Sequence, residues 1–124
     1  MFSLSSSHRY YLYYLPTDMR KSFDGLSGIV ETALGKQVEG RGVYIFINRR
    51  RDKIKLLHWE NGGLVLYYKR LETGTFSYPE QLTEPSNHRL ISWPELVVMI
   101  EGMTLSKQRK NKVRYPLKTW IKTE

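Results

Sequence analysis

Two turn signals constrain this chain more than anything else in it. Asn61-Gly62-Gly63 separates the runs Lys53–Glu60 and Leu64–Leu71, and Asn48-Arg49-Arg50-Arg51-Asp52 separates Val43–Ile47 from Lys53–Glu60. Asn-Gly between two apolar runs reads as a tight hairpin, because the turn needs residues that tolerate positive φ. Val43–Ile47 is short and rich in β-branched and aromatic side chains, which suit a pleated surface. Along Lys53–Glu60, alternation puts Ile54 and Leu56 on one face and Lys53 and Lys55 on the other. The pattern predicts an antiparallel three-stranded meander. Gly74 and Phe76 predict a further short strand that ends at Pro79.

The flanking segments supply the rest of an α+β domain. Residues 8–15, His-Arg-Tyr-Tyr-Leu-Tyr-Tyr-Leu, read as a strand that Pro16 ends. Its edge would be free to pair with a second copy of the chain, so a homodimer is an expectation. Thr17 or Asp18 then suits an N-cap, and Met19, Phe23, Leu26, Val30 and Ala33 recur at helical spacing, predicting a helix over 19–34 closed by Gly35. Gly25 and Gly28 inside it cost ~1 kcal/mol each relative to Ala, which suggests a close backbone approach or an early break. Residues 80–91 read as a polar loop. Ser92 caps a second helix over 93–102, with Pro94 and Glu95 in its first turn and Leu96, Val97, Ile100 and Met103 on its apolar face. The expected architecture is an antiparallel β-meander sheet with both helices on one face, in a domain over 1–103. A basic tail over 104–124 follows and would order on binding a partner.

Charge placement says more than charge total. The 124 residues carry +8 overall, but residues 1–40 are neutral, 41–70 carry +6, 71–102 carry −4 and 103–124 carry +6. Two basic blocks flanking an acidic stretch would attract a polyanion, nucleic acid being the usual one. A chain with 40% apolar residues is not disordered throughout, and its length fits one modest core. It holds no cysteine, hence no disulfide, thiolate zinc site or cysteine nucleophile. The longest apolar runs, Val43–Ile47 and Leu96–Ile100, fall far short of the ~20 residues that span a bilayer. The N-terminal stretch lacks the pattern of a secretory signal. No membrane association and a cytoplasmic location are the expectations.

The sharpest candidate site is the basic turn. Arg49, Arg50 and Arg51 would project from the tip of a two-stranded ribbon, and Lys53, Lys55, Lys69 and Arg70 would continue the basic surface along it. Such a ribbon fits the DNA major groove, with phosphate contact favoured over base reading. Asp52 would brace the turn. In the tail, Lys107, Arg109, Lys110, Lys112 and Arg114 would form a second clamp. Nine tyrosines are present, and adjacent pairs such as Tyr67 and Tyr68 must point to opposite faces, one into the core and one outward. An outward tyrosine can stack on a base.

Catalytic constellations are weak. His8, His58 and His88 are dispersed, without ligand spacing. There is no Gly-rich phosphate loop and no Gly-x-Ser-x-Gly elbow. Asp18, Asp24, Asp52, Glu60 and Glu72 are available to hold a metal, but no acidic residue is followed two positions later by lysine, as one common nuclease motif requires. The reading is a protein that is not an enzyme and has no cofactor or metal.

These blocks together resemble a known family. They are Pro16-Thr17-Asp18-Met19-Arg20-Lys21 with Asp24-Gly25-Leu26; Phe46 through Trp59; Gly63-Leu64; and Tyr67-Tyr68-Lys69-Arg70-Leu71-Glu72 with Gly74, Phe76, Tyr78 and Pro79. They are similar to the accessory protein encoded by the second open reading frame of insertion sequence 66 elements, called TnpB, strongly over residues 16–79 and loosely over the second helix. Tyr78 departs from the tryptophan expected there. The resemblance implies a small, non-catalytic bacterial protein required for transposition beside a separate transposase. The leading expectation is therefore a DNA-binding accessory factor whose affinity falls roughly a thousandfold between 50 and 200 mM salt if about six phosphates are neutralised. The rival is a protein adaptor that recruits the transposase through its aromatic surface and the acidic stretch 72–101. RNA binding through exposed tyrosines is a third.

Overall fold

The computed structural model describes residues 4–79 and 86–101. It forms one five-stranded sheet in the order β4-β3-β2-β1-β5 and two helices. The strands are β1 (Arg9–Tyr13), β2 (Gly42–Ile47), β3 (Lys53–Glu60), β4 (Gly63–Arg70) and β5 (His88–Ile91). The helices are α1 (Phe23–Thr32), between β1 and β2, and α2 (Trp93–Ile100), after β5.

The two turn signals deliver the meander that the sequence predicts. β2, β3 and β4 pair antiparallel, with Ile47 opposite Ile54 and Glu60 opposite Gly63. Asn61 and Gly62 both adopt positive φ, 50° and 85°, as a two-residue hairpin of the type that follows strand twist requires.

The whole sheet, however, is mixed rather than antiparallel. β1 lies beside β2 in parallel, with Tyr10 opposite Val43 and Leu12 opposite Ile45. The helical crossover α1 carries the chain back to the starting end, so β2 must run in the same direction as β1. β1 is thus an interior strand: on its other side β5 pairs with it antiparallel. The expected free edge at residues 8–15 is not there. β5 itself falls inside the stretch expected to be a loop; it has four residues, and only Ile91 is buried.

The helices lie on opposite faces, not on one. Alternation along the strands sorts the core into two layers. Tyr10, Leu12, Val43, Ile45, Ile47, Ile54 and Leu56 pack with Leu96, Met99 and Ile100 of α2 and with Phe76. Tyr13, Tyr44, Phe46 and Leu57 pack with Leu26 and Val30 of α1 and with Leu34 and Val38. β2 is covered on both sides, and all six of its residues are buried. This explains why its sequence is a continuous apolar run with no alternation. Phe76 is fully buried but belongs to an irregular segment, whose N–H donates to the Arg51 carbonyl at 2.6 Å.

Local chemistry sets the helix ends. α1 begins at Phe23, four residues later than predicted, because neither Thr17 nor Asp18 is its cap. Thr17 is buried and donates its N–H to the Ile47 carbonyl, while Asp18 closes a turn of its own. Its carboxylate accepts the Arg20 N–H at 2.9 Å, and the Lys21 N–H donates to its carbonyl at 3.0 Å. Gly35, at φ 67°, turns the chain out of the helix so that the Lys36 N–H reaches the Val30 carbonyl. α1 runs through Gly25 and Gly28 without a break, and no other backbone approaches them. At α2 the predicted cap is present in full: Ser92 Oγ accepts from the Glu95 N–H, and the Glu95 carboxylate accepts from the Ser92 N–H.

Candidate functional site

The loop after β1 and the turn after β2 meet at the carboxyl ends of the two parallel strands. Between them lies an open cleft of about 540 Å³, lined by Pro16–Arg20, Asn48–Arg50, Lys53 and Tyr68. In sheets with parallel strands, ligands characteristically bind outside the carboxyl ends of those strands.

The arginine turn is held from inside. Asn48 Nδ2 donates to Asp52 Oδ1 at 2.8 Å, and Asn48 Oδ1 accepts from the N–H groups of Asp52 and Lys53. Asp52 braces the turn as expected, and Asn48 does more of the bracing. The amide of Asn48 holds the Asp52 carboxyl below its ordinary range. The Leu71 N–H adds a bond to the Asp52 carbonyl at 2.7 Å.

The seven basic residues expected on one surface separate into different roles. Arg49 and Arg50 are exposed at the cleft and make no hydrogen bond or ion pair among the described residues. Arg51 adopts φ 61°, a left-handed conformation that is strained for arginine. Its guanidinium sits 5.6 Å from the Tyr78 ring centroid. Lys53 lines the cleft, 3.5 Å from Asp52. Lys55 is buried, and its ammonium donates to the carbonyls of Met19 and Lys21 at 2.8 and 2.7 Å. Burial pushes its pKa down, while the charge of Asp18 opposes that. Lys69 points to the other face of the sheet and donates to the Ile100 carbonyl at 2.7 Å, a cation at the negative end of α2. Arg70 is exposed and pairs with Glu72 at 3.0 Å. Lys107, Arg109, Lys110, Lys112 and Arg114 lie outside the described residues.

The cleft also holds Thr17 and Arg20, which are not among the basic residues expected to form the site. Lys55 pins the 19–21 segment through its two carbonyls, and Thr17 fixes that segment to the end of β2. Arg20 is thereby placed on the cleft wall, bonded to Asp18 at 2.7 Å. These bonds, first the Arg20 guanidinium and then its N–H, lower the Asp18 pKa to about 2. The lining contains four cations, Arg20, Arg49, Arg50 and Lys53, against the one carboxylate of Asp18. Tyr68 is half exposed on the same face and receives the Lys55 ammonium 4.5 Å from its ring centroid. The signal that could have found this site was the first motif block, Pro16–Lys21, whose only local reading was a helix cap.

A family model described as IS66 Orf2 like protein matches residues 8–110. The chain belongs to this family. Membership makes it an accessory protein of an insertion sequence, and the match extends the resemblance to β1 and past the end of α2. An uncharacterised protein of Sinorhizobium fredii designated y4jC is 26% identical over 103 residues, covering 83% of this chain and 86% of its own. No solved structure matches. The cleft joins the two family blocks that stand far apart in sequence, 16–21 and 46–59. Among the described residues no group of three or more His, Cys, Asp or Glu side chains is placed to hold a metal ion. Among them, too, no helix is long and apolar enough to cross a membrane.

Proposed function

We propose that this IS66 accessory protein binds DNA through its phosphate backbone at the cleft, with Arg49 and Arg50 as the principal contacts. One observation carries the reading: two adjacent guanidiniums stand exposed and, among the described residues, without a hydrogen bond or ion pair, on a turn that an internal hydrogen-bond network holds in place. Two side chains with substantial rotamer entropy are thus left to solvent on a fixed backbone. Phosphate oxygens match the planar donor fork of arginine. Lys53 and Arg20 add charge around them, and the protein itself needs no catalytic group for this task.

Each phosphate neutralised contributes about 0.9 to the slope of log affinity against log salt. Arg49→Ala with Arg50→Ala is expected to reduce that slope by about two on random duplex DNA. Arg51→Gly serves as the control, since glycine accepts the positive φ and the guanidinium of Arg51 is engaged with Tyr78; its slope stays at the parental value. An unchanged slope in the double variant rejects the mechanism.

A second reading, a protein adaptor for the transposase, is favoured by the exposed outer edge of the sheet. β4 is an eight-residue strand at the edge of the sheet, with Val65 and Tyr68 40% and 50% exposed, and among the described residues no strand pairs with its outer side, where a partner's strand could add. Co-purification with transposase after nuclease treatment, together with no binding to DNA at low salt, would select it.

A further inference from the structure

We infer that the cleft receives an unpaired DNA nucleotide, with Tyr68 as the platform for its base and Arg49 and Arg50 on its flanking phosphates. The inference rests on the DNA-binding reading and specifies the form of DNA. Contact with duplex backbone alone needs only cations spaced to meet phosphates and makes no use of an aromatic ring beside them. Here Arg49 and Arg50, which make no hydrogen bond or ion pair among the described residues, stand on the rim of a concavity of about 540 Å³, within the size range of small-molecule sites, and an aromatic ring lies in its wall.

Tyr68 is unusual among the tyrosines. Tyr10, Tyr13 and Tyr44 are buried in the two core layers, whereas Tyr68 remains 50% exposed. It lies directly across the β3–β4 ladder from Lys55. Lys55 is itself anchored by two carbonyls, so its ammonium, 4.5 Å from the ring centroid, holds one face of the ring. The exposed part of the ring is presented to the cleft at almost no further ordering cost. Bases inside a duplex are stacked on both faces and cannot use such a surface. A base beyond a duplex end, or in a gap, can stack there with little dependence on its identity. The guanidiniums supply the charge that the phosphates on either side require.

The full chain is titrated by fluorescence anisotropy against a blunt duplex and against the same duplex carrying a three-nucleotide single-stranded overhang. The overhang is expected to tighten binding about tenfold, the size of a single base–aromatic stack. Tyr68→Ala is expected to abolish that preference while leaving blunt-duplex affinity within twofold, and Tyr68→Phe to keep it. A thermal melt of each variant confirms folding. Steep salt-dependent binding with equal affinity for both DNAs, or a preference that survives Tyr68→Ala, overturns the inference and leaves the backbone reading standing. No binding to either DNA at 50 mM salt removes both. An RNA overhang in place of DNA that alone confers the preference assigns the pocket to RNA and overturns the proposal as stated.

Discussion

A buried lysine does the structural work that permits the cleft. Lys55 stands in the middle of β3, where a hydrophobic residue would be the ordinary choice, yet its ammonium satisfies two carbonyls of a non-helical turn. Among the described residues those carbonyls accept no backbone hydrogen bond, since α1 starts only at Phe23. Removing one partner from a buried, charge-assisted pair leaves the rest unsatisfied. Lys55→Met is expected to destabilise the fold by about 2–3 kcal/mol in urea unfolding, because each bond to a charged donor contributes roughly 1.5–3 kcal/mol and repacking of the thioether offsets part of the loss. Loosening of residues 18–22 should accompany it, visible as faster amide exchange at Arg20 and Lys21. Read from sequence, Lys55 was one of a row of basic residues; period-two alternation marked its face correctly but could not tell that this face is covered.

At the scale of elements, α2 shows how much a short helix depends on its first turn. It has eight residues, and its cap is reciprocal. Glu95 also takes the Arg89 guanidinium at 2.8 Å, tying α2 to β5. Burial pushes the Glu95 pKa up, but the Ser92 N–H and Arg89 outweigh it and hold the carboxyl below its ordinary 4.5. The folded protein therefore binds this proton less readily than the unfolded chain does. The stabilisation is complete above the unfolded value of 4.5 and is lost as pH falls through the lower folded one. In the parent protein, stability measured by thermal melting should drop more steeply below pH 4.5 than in Glu95→Gln, which lacks the titration. If both fall in parallel, Glu95 is not the group responsible. This element was legible in the sequence because a capping box is a local pattern: Ser92 and Glu95 are three residues apart, and Pro94 sits where its missing N–H costs nothing. The start of α1 was not legible for the opposite reason. Thr17 and Asp18 are good caps locally, but the strand end at Ile47 and the ammonium of Lys55, both over 25 positions away, claim that segment first.

Over the whole molecule the functional charge is a matter of where the sheet puts it. The +6 of residues 41–70 does not form one face. Arg41 goes to Ser7, Lys69 to α2, Lys55 to the interior, Arg51 to Tyr78 and Arg70 to Glu72, which leaves Arg49, Arg50 and Lys53 at the cleft. Asp18 is the one carboxylate of the lining, and the Arg20 guanidinium and N–H hold its pKa down, at about 2. It holds Arg20 in a pair and offsets the local field. Asp18→Asn keeps an acceptor for the Arg20 N–H but removes the charge. Its expected effect is a severalfold gain in affinity for random duplex at low salt and a salt slope steeper by about one, as Arg20 becomes free to meet a phosphate. No change in either quantity would place the DNA elsewhere on the surface.

The sequence by itself determined the β2–β3–β4 meander, the bracing of the arginine turn and the capped start of α2, since each depends on residues within a few positions of one another. Turn chemistry, alternation and capping all act at that range. It also determined the family, through ordered blocks. Only the tertiary structure decided that β1 runs parallel to β2 as an interior strand, that the helices cover opposite faces, and which basic residues remain available. Strand order is set by which faces can be buried together across the whole chain, and a crossover places partners some thirty residues apart. A lysine's neighbours, and hence whether it meets solvent, a carbonyl or a ring, follow from that packing and leave no trace in its own local sequence.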